Sequence, residues 1–357
     1  MSLKWMEKKG KRILGAATRA LLPSQSLCPT DSDWQGVRRV LLVRQDRRIG
    51  DLVMNTPLFH GTSKCFPGAH ITLLLRRGYE ELFEDDPHLN ELLAFSSGRD
   101  LYNPIGLVSL ISRLRRGRYD LAIDCSNFKS FSLTNGFITL LSGAPIRIGF
   151  NDKESPAFLN LTVDQGESRH FTENQMELLG PAGGADIGEE PWLRIGAERR
   201  ERAGELLRGI GVDEQTPKAL IFTDAGNKKK TWGRSCFLGV AGRLKAAGLS
   251  VILAQGPGRS SAEAASEGFP LLPSVGIADF AAAISCCDVF VSGDTGPMHL
   301  AAACGVPTVG VFLENNIKRY GYVDRTRHQA LRVTSSAGVK DVADAAIKAI
   351  EAGGVEA

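Results

Sequence analysis

The sequence predicts an α/β protein made of two doubly wound domains, each with a parallel sheet covered by helices on both faces. Three observations predict this fold. The chain has 357 residues, enough for two domains. Short apolar runs alternate with segments of helical periodicity, the pattern of parallel strands joined by crossover helices. The alternation also occurs in two series, separated by an irregular stretch at 151–190.

The composition is that of an ordinary globular protein, with 43% hydrophobic and 23% charged residues. A net charge of +3 without a nucleic-acid-binding motif argues against nucleic acid as a partner. The seven cysteines lack CxxC spacing, so we expect reduced thiols in a cytosolic compartment. The sequence has no apolar run of about 18 residues, so it predicts no membrane-spanning helix.

A basic leader, residues 1–36, precedes the first predicted strand. Within residues 1–20, six basic side chains are opposed by one glutamate, a local balance of 6 − 1 = +5. Apolar residues lie near one helical face: Met6, Ile13, Leu14, Ala17 and Leu21. A basic amphipathic helix can lie on an anionic membrane surface. A solvated tail is the alternative interpretation.

The first domain is predicted to span residues 37–188. Its strands are apolar runs of four to nine residues, and its helices follow them in chain order. The predicted elements are strand 37–45, helix 52–66, strands 69–75 and 92–95, helix 105–116, strand 119–124, helix 129–142 and strand 146–150.

The second domain is predicted to span residues 189–357. Its first strand precedes a helix in which Phe237, Val240, Ala241 and Leu244 stand at i, i+3, i+4 and i+7. The predicted elements are strands 219–223 and 250–254, a turn at 256–258, helices 261–267 and 277–285, strand 288–292, helix 297–304, strand 308–312 and helix 338–352. The last helix could pack back on the first domain.

The stretch Asp294-Thr295-Gly296-Pro297 lies where a predicted strand ends and a helix begins. Unpaired N–H groups and the helix dipole favour a phosphate or an electron-rich sugar oxygen at such a place. Gly296 would let a ligand approach the backbone, and Pro297 suits the first helical position. The alternative interpretation is that Asp294 and Thr295 only cap a buried helix.

The first domain has a matching stretch, Arg47-Arg48-Ile49-Gly50-Asp51, after its first strand. This order places a carboxylate between a strand and a helix, facing the cleft between the domains. Asp51 could therefore act on a ligand or could be another helix cap.

Basic and glycine residues follow the first two strands of the second domain. Lys228, Lys229 and Lys230 could neutralise a diphosphate or could be a solvated surface run. Gly256-Pro-Gly258 could pass close to a nucleotide, although it lacks the GxGxxG spacing. Glu263, on the next predicted helix, could reach ribose hydroxyls.

Together these motifs resemble glycosyltransferase family 9, the heptosyltransferases of lipopolysaccharide core assembly. The matching residues here are Gly50–Asp51 with Thr56-Pro57-Leu58, Arg147–Phe150, Lys230-Thr231-Trp232 and Asp294–Ala303. The resemblance covers about residues 37–350, and the set of motifs is more specific than any one of them.

The resemblance implies the GT-B fold, in which two Rossmann-like domains face each other across a cleft. It also implies an inverting, metal-independent transfer of heptose from ADP-heptose to a lipopolysaccharide core acceptor. Asp51 would be the general base. Lys230 and the N–H groups of Gly296–Met298 would hold the leaving diphosphate. Asp294 would contact donor-sugar hydroxyls, and His299 has either a structural or a donor-site role.

Further expectations concern partners and location. We expect a nucleotide sugar and a lipid-linked oligosaccharide acceptor as ligands, no cofactor or metal, and a monomer. The protein would be cytoplasmic and peripheral on the inner membrane. Arg47 and Arg48 depart from the family pattern and favour a phosphorylated or otherwise anionic acceptor. A nucleotide-sugar epimerase of the same architecture and a non-catalytic nucleotide-sugar-binding protein are the alternatives.

Overall fold

The structure is a computed structural model that describes residues 27–45, 47–127, 129, 131–166, 169–184, 190–224, 232–256, 268–322, 327–334 and 338–353. The leader up to residue 26, the lysines at 228–230 and the predicted helix 261–267 with Glu263 lie outside the described residues. The chain forms two compact units. The first comprises residues 1–47, 55–167 and 172–190, and the second comprises residues 48–54, 168–171 and 191–357.

The first unit contains a six-stranded parallel sheet in the order β3-β2-β1-β4-β5-β6. Its strands are Arg39–Arg44 (β1), His70–Arg76 (β2), Glu91–Phe95 (β3), Leu121–Asp124 (β4), Ile146–Phe150 (β5) and Leu161–Val163 (β6). The order changes direction between β1 and β4. In doubly wound sheets such a switch point opens a crevice beyond the carboxyl ends of the strands.

The second unit contains a five-stranded parallel sheet in the order β11-β10-β9-β7-β8. Its strands are Lys218–Phe222 (β7), Ser250–Ala254 (β8), Val289–Gly293 (β9), Thr308–Phe312 (β10) and His328–Arg332 (β11). Here the switch point lies between β7 and β9. The loops after these two strands are therefore where a ligand is expected in this unit.

Helices flank both sheets. They are Asp31–Gln35 (α1), Ile49–Val53 (α2), Thr56–Cys65 (α3), Ser97–Asp100 (α4), Pro104–Arg116 (α5), Leu133–Ser142 (α6), Phe171–Met176 (α7), Ala197–Gly209 (α8), Arg234–Ala246 (α9), Ile277–Ser285 (α10), Gly296–Ala303 (α11), Ile317–Tyr320 (α12) and Val339–Gly353 (α13). Short 3₁₀ turns occupy Glu80–Leu82, Ser155–Ala157 and Glu177–Ala182.

Each unit has an apolar core because the strands bury both faces. In the second unit the helical positions Phe237, Val240, Ala241 and Leu244 pack into one buried cluster with side chains of β7, β8, β9 and β10. The periodicity of this helix therefore predicted its buried face correctly. The last helix, α13, joins the same cluster through Val342, Ala343, Ala346 and Ala349.

The predicted α/β class with two doubly wound parallel sheets is confirmed. The predicted helix at 52–66 is two helices, α2 and α3, because the chain turns at Met54–Asn55 and Pro57 starts a new helix. Among the described residues, no helix has the length and apolar content needed to cross a bilayer. All seven cysteines are free thiols.

Candidate donor and base site in the second unit

Two glycines bring the predicted base segment against the predicted phosphate-binding helix. A Cβ added to Gly50 would lie 2.8 Å from His299 Cδ2 and 3.1 Å from Gly296 Cα. A Cβ added to Gly296 would lie 2.5 Å from Ile49 Cγ2 and 3.2 Å from the Gly50 nitrogen. Helices α2 and α11 can therefore approach so closely only because both positions lack a side chain.

This contact changes the interpretation of both motifs. The sequence suggested that Gly296 makes room for a ligand, whereas its Cα faces Gly50. The sequence also suggested that Asp51 belongs to the first domain. Residues 48–54 instead group with the second unit, next to the helix that begins at Gly296.

The start of α11 has the backbone geometry of an anion site. Thr295 is the N-cap, with extended φ and ψ of −140° and 164°, and Pro297 occupies the first turn. Met298 N donates to Thr295 O at 3.1 Å, and the Met298 side chain is buried against β10 at Gly310. Because the Met298 amide already donates within the turn and Pro297 has no N–H, Gly296 N is the amide of this segment best placed for a ligand.

Thr295 does not act as a side-chain cap. Its hydroxyl makes no capping hydrogen bond to the helix. Oγ1 is buried and has no hydrogen-bond partner among the described residues. A buried hydroxyl without a protein partner is uncommon and is often satisfied by water or by a ligand. The capping alternative for this residue is therefore not supported.

Asp294 is held in place by an asparagine from the neighbouring strand's loop. Asn316 Nδ2 donates to Asp294 Oδ2 at 2.6 Å, and Asp294 N donates to Val311 O at 3.0 Å. Because β9 and β10 are parallel neighbours, the loops that follow them meet at one edge. The carboxylate is thereby fixed at the carboxyl end of β9, beside the start of α11.

Asp51 is buried, with 7% of the residue exposed, on the short helix α2. Arg48 Nη1 lies 3.5 Å from Asp51 Oδ2, and the Arg48 side chain is 76% exposed. Arg48, one of the two arginines predicted to bind the acceptor, thus lies beside the predicted base. Arg47 is also exposed, and its carbonyl accepts a hydrogen bond from Tyr79 Oη at 2.8 Å within the first unit.

His299 lies in a buried cluster of aromatic rings. Its Nδ1 is 2.8 Å from Tyr322 Oη, and the two rings pack edge-on with centroids 5.7 Å apart. The rings of His328 and His170 lie 5.4 Å and 6.4 Å from that of Tyr322. Burial raises the pKa of the Tyr322 hydroxyl, so Tyr322 stays neutral. These contacts favour a structural role for His299, whose ring supports Gly50.

The loops after β7 and β8 contribute polar groups at the same sheet edge. Gly256 N donates to Asp224 Oδ2 at 2.9 Å, and Arg234 Nη1 donates to Thr223 Oγ1 at 3.3 Å. The tryptophan of the Lys-x-Trp motif, Trp232, is buried against Phe237 at 5.2 Å between ring centroids. The motif's tryptophan therefore belongs to the core of the second unit.

In the first unit, a buried polar network occupies the carboxyl ends of β1 and β4. Its members are Arg44, Asp124, Ser126, Asn135 and Gln175. Asn135 Nδ2 donates to Ser126 Oγ at 3.1 Å, and Ser126 Oγ donates to Asp124 Oδ1. Burial raises the pKa of Asp124 to about 6, against opposing hydrogen bonds and the charge of Arg44. This network stands at the switch point of the first sheet.

One group among the described residues has the composition and spacing of a metal site. The nitrogen and oxygen atoms of His60, Asp86 and His88 lie within 4.8 Å of one another, and His60 Nε2 is 3.1 Å from Asp86 Oδ2. It belongs to the first unit and contains neither Asp51 nor Asp294. The hydrogen bond between His60 and Asp86 is by itself enough to explain why both side chains can be buried.

Sequence reasoning missed the residues that support the site. Asn316, Tyr322 and Asp224 orient Asp294, His299 and Gly256 respectively. Asn316 and Asp224 follow the carboxyl ends of parallel strands, and this position in the sequence could have marked them as candidate site residues. Tyr322 has no such signal, because its contact with His299 depends on tertiary packing.

Comparisons with known proteins identify the family of the chain. The family model "Glycosyltransferase family 9 (heptosyltransferase)" matches residues 107–343. Lipopolysaccharide heptosyltransferase 3 of Escherichia coli K12 is 24% identical over 282 residues, which cover 74% of this chain and 79% of that protein. A putative glycosyltransferase of Haemophilus influenzae is 23% identical, over 77% of this chain and 82% of that protein.

Solved structures are similar in fold. A family 9 glycosyltransferase from Veillonella parvula has a TM-score of 0.77 at 19% identity, covering 88% of this chain and 97% of that one. An E. coli heptosyltransferase solved with ADP-2-deoxy-2-fluoro heptose has a TM-score of 0.67 at 18% identity, covering 86% and 99%. The family model spans more than half of the chain, including Asp294 and the start of α11. The chain therefore belongs to glycosyltransferase family 9, the heptosyltransferases.

Proposed function

We propose that this heptosyltransferase moves heptose from ADP-heptose to a lipopolysaccharide core acceptor, with inversion at the anomeric carbon and without a metal ion. One observation carries the proposal: Asp51 stands on a helix packed through Gly50 against Gly296, where α11 begins. A candidate proton acceptor and a helix end suited to an anion are thus neighbours within one unit.

In the proposed reaction an acceptor hydroxyl attacks the anomeric carbon from the face opposite ADP. The bond from that carbon to the β-phosphate oxygen breaks, and Asp51 takes the hydroxyl proton. Gly296 N, the dipole of α11 and Lys230 stabilise the charge that develops on the diphosphate. Asp294, fixed by Asn316, contacts sugar hydroxyls.

The choice of donor and acceptor is supported by the relatives. One structural neighbour was solved with ADP-2-deoxy-2-fluoro heptose, and one relative is named a lipopolysaccharide heptosyltransferase. Transfer without a metal ion is supported on electrostatic grounds, because a helix N-terminus together with a lysine can stabilise the leaving diphosphate. The leader, in this proposal, docks a monomeric enzyme on the inner-membrane surface beside its lipid-linked acceptor.

The deciding experiment compares Asp51→Ala with Asp344→Ala, which removes an exposed carboxylate from α13 of the same unit. Release of ADP in the presence of acceptor measures transfer, and calorimetry measures donor binding. Asp51→Ala should bind ADP-heptose nearly as tightly as the parent chain but lose about 10²- to 10⁴-fold in kcat. Asp344→Ala should retain both properties.

An Asp51→Ala enzyme whose kcat stays within a factor of a few would show that Asp51 is not the base. Donor binding without turnover by the parent chain, with several acceptors, would favour a non-catalytic binding protein. Turnover of the nucleotide sugar without any acceptor would favour an epimerase.

A further inference from the structure

Exposed apolar side chains cluster at the start of helix α5 in the first unit. Tyr102, just before the helix, is 63% exposed, and Ile105 and Val108 within it are 80% and 67% exposed. They are three of the four large hydrophobic side chains that are exposed among the described residues. A concentration of this kind is typical of a docking surface.

These side chains share one face of a well-defined helix with basic residues. Pro104 occupies the first turn, and Asn103 accepts a capping hydrogen bond from Ile105 N at 3.1 Å. The face continues through residues three, four, seven and eleven positions after Ile105, because such residues line up along a helix. They are Val108, Ser109, Ser112 and Arg116. The face is thus apolar at its start and cationic at its end.

The cationic end borders an open surface depression of about 720 Å³. Its lining residues are Arg39, Ser112, Arg115, Arg116 and Arg118. Two of the arginines are braced by the fold: Arg39 Nε donates to Gly117 O, and the Arg115 guanidinium packs against Gly143 at the end of α6. Arg116 and Arg118 are exposed.

The local electrostatic balance is positive. Burial and, after it, the positive charge of Arg115 lower the pKa of Arg147. Two acidic residues lie nearby. Asp120 accepts the backbone amides of Arg38 and Arg39 at 2.8 Å and 2.9 Å. Glu91 contacts Thr72 and His70. Arg116 Nη2 donates to Ser112 Oγ at 3.0 Å, which leaves its other N–H groups and the exposed Arg118 guanidinium to meet an anion.

We propose that the face of α5 with Ile105, Val108 and Arg116, together with the flanking residues Tyr102 and Arg118, docks on an anionic lipid surface. Apolar side chains that enter the headgroup boundary and arginines that meet lipid phosphates are the two features by which interfacial helices bind. The choice of a lipid rests on the proposed function in one respect, namely that the acceptor is lipid-linked.

Other occupants fit less well. The leader carries six basic residues against one acid within residues 1–20, so it offers no counter-charge to the arginines. A second copy of the chain bound through this face would bring arginines against arginines or against the apolar end, again without counter-charge.

Docking here has a consequence for the acceptor. Helix α5 begins after β3 and leads back to β4, so its start lies at the edge of the sheet where the strands have their carboxyl ends. Ligands of doubly wound domains bind at that edge. The apolar end of the face would therefore bring this edge to the lipid, where a lipid-linked sugar is presented.

The test uses the full chain with two kinds of vesicle. One kind is phosphatidylcholine alone, and the other also contains about 30 mol% phosphatidylglycerol, which gives a negative surface potential. One variant combines Arg116→Gln with Arg118→Gln. Because each basic residue near such a surface contributes about 1 kcal/mol, roughly fivefold, this variant should bind anionic vesicles about 30-fold more weakly. A second variant, Ile105→Ser with Val108→Ser, should weaken binding on the order of 10-fold.

The control variant combines Arg202→Gln with Arg208→Gln on α8, which changes the net charge equally on the second unit. It should bind vesicles like the parent chain. Hydrogen exchange locates the contact independently of the leader: residues 102–118 should become protected with anionic vesicles and not with phosphatidylcholine alone. Neither measurement requires turnover, so a failure here is distinguishable from a failure of the proposed transfer reaction.

Vesicle binding by either α5 variant equal to that of the parent chain would overturn the inference, as would unchanged exchange at 102–118. Sedimentation of the parent chain as a dimer that Ile105→Ser with Val108→Ser dissociates would assign the face to a second copy, which also overturns it.

Discussion

Gly50→Ala is predicted to impair catalysis by moving α2 away from α11. The new Cβ would lie 2.8 Å from His299 Cδ2 and 3.1 Å from Gly296 Cα. Carbon atoms pack at about 3.5–4.0 Å, so the helices must separate by roughly 0.7 Å. The imidazole has little freedom to yield, because it is buried and lies 2.8 Å from Tyr322 Oη.

The expected magnitude follows from two opposing effects. Overpacking typically costs about 1–3 kcal/mol, while Ala is about 1 kcal/mol better than Gly inside a helix. The free energy of unfolding should therefore fall by about 0–2 kcal/mol. Catalysis should suffer more, because displacing a reacting group by about 1 Å can cost on the order of 100-fold in rate. We expect kcat to fall about 10- to 100-fold.

The matched control is Gly204→Ala on α8 of the same unit, where an added Cβ meets no atom within 4 Å. This variant should keep the parent kcat and should melt at an equal or higher temperature. The assay is steady-state release of ADP together with thermal unfolding of both variants. If Gly50→Ala behaves like Gly204→Ala in both measurements, the two glycines do not determine the position of Asp51, and the structural reasoning fails.

Four further predictions concern the donor, the metal, pH and the leader. Lys230→Ala should weaken both ADP and ADP-heptose about 10- to 100-fold, since both share the diphosphate; unchanged ADP affinity by calorimetry would assign this role to Lys228 or Lys229. Transfer should survive EDTA, and activity that is lost and then restored by Mg²⁺ would contradict the mechanism. Because burial raises the pKa of Asp124 from 3.8 to about 6, the folded state binds this proton more tightly than the unfolded state. The contribution of Asp124 to the free energy of unfolding should therefore be greatest below pH 4 and should fall by about 3 kcal/mol as pH rises through 6. Urea unfolding of the parent chain and of Asp124→Asn at pH 4.5 and 7.5 should register about 2 kcal/mol of this fall, because pH 4.5 is already above the unfolded pKa of 3.8. Parallel pH profiles would show that Asp124 titrates normally. Deleting residues 1–22 should reduce liposome co-sedimentation at low salt and slow transfer to a membrane-embedded acceptor, while transfer to a delipidated acceptor stays nearly constant. Equal liposome binding by the full and truncated chains would make the leader a solvated tail.

The strands were predictable where burial makes them continuously apolar. The runs at β1, β4, β7 and β9 show this pattern directly, since both faces of a parallel sheet are covered. β6 and β11 were missed because they are edge strands with mixed side chains: β6 has no buried residue, and β11 buries only His328. α8 was missed because its sequence is mostly charged and buries only Ala203 and Leu207, too few positions for a visible periodicity.

Sequence reasoning selected candidate site residues but could not predict how they assemble. Asp294 and Gly296 were recognisable because they follow a buried strand and precede a helix. The contact between Gly50 and Gly296 could not be predicted, because no local pattern reveals which distant helix a glycine faces. The support of Asp294 by Asn316 and of His299 by Tyr322 depends likewise on tertiary packing.

The grouping of residues 48–54 with the second unit bears on how the chain is made and how it can be recombined. During synthesis, α2 leaves the ribosome long before residues 296–303 exist, so the first sheet is complete while Asp51 still lacks its packing partner. A fragment that ends near residue 190 would keep the six-stranded sheet without defining the position of Asp51. Chimaeras between relatives should therefore transfer segment 48–54 together with the C-terminal half, because a fusion point between the two sheets alone would combine α2 from one parent with α11, its packing partner, from another.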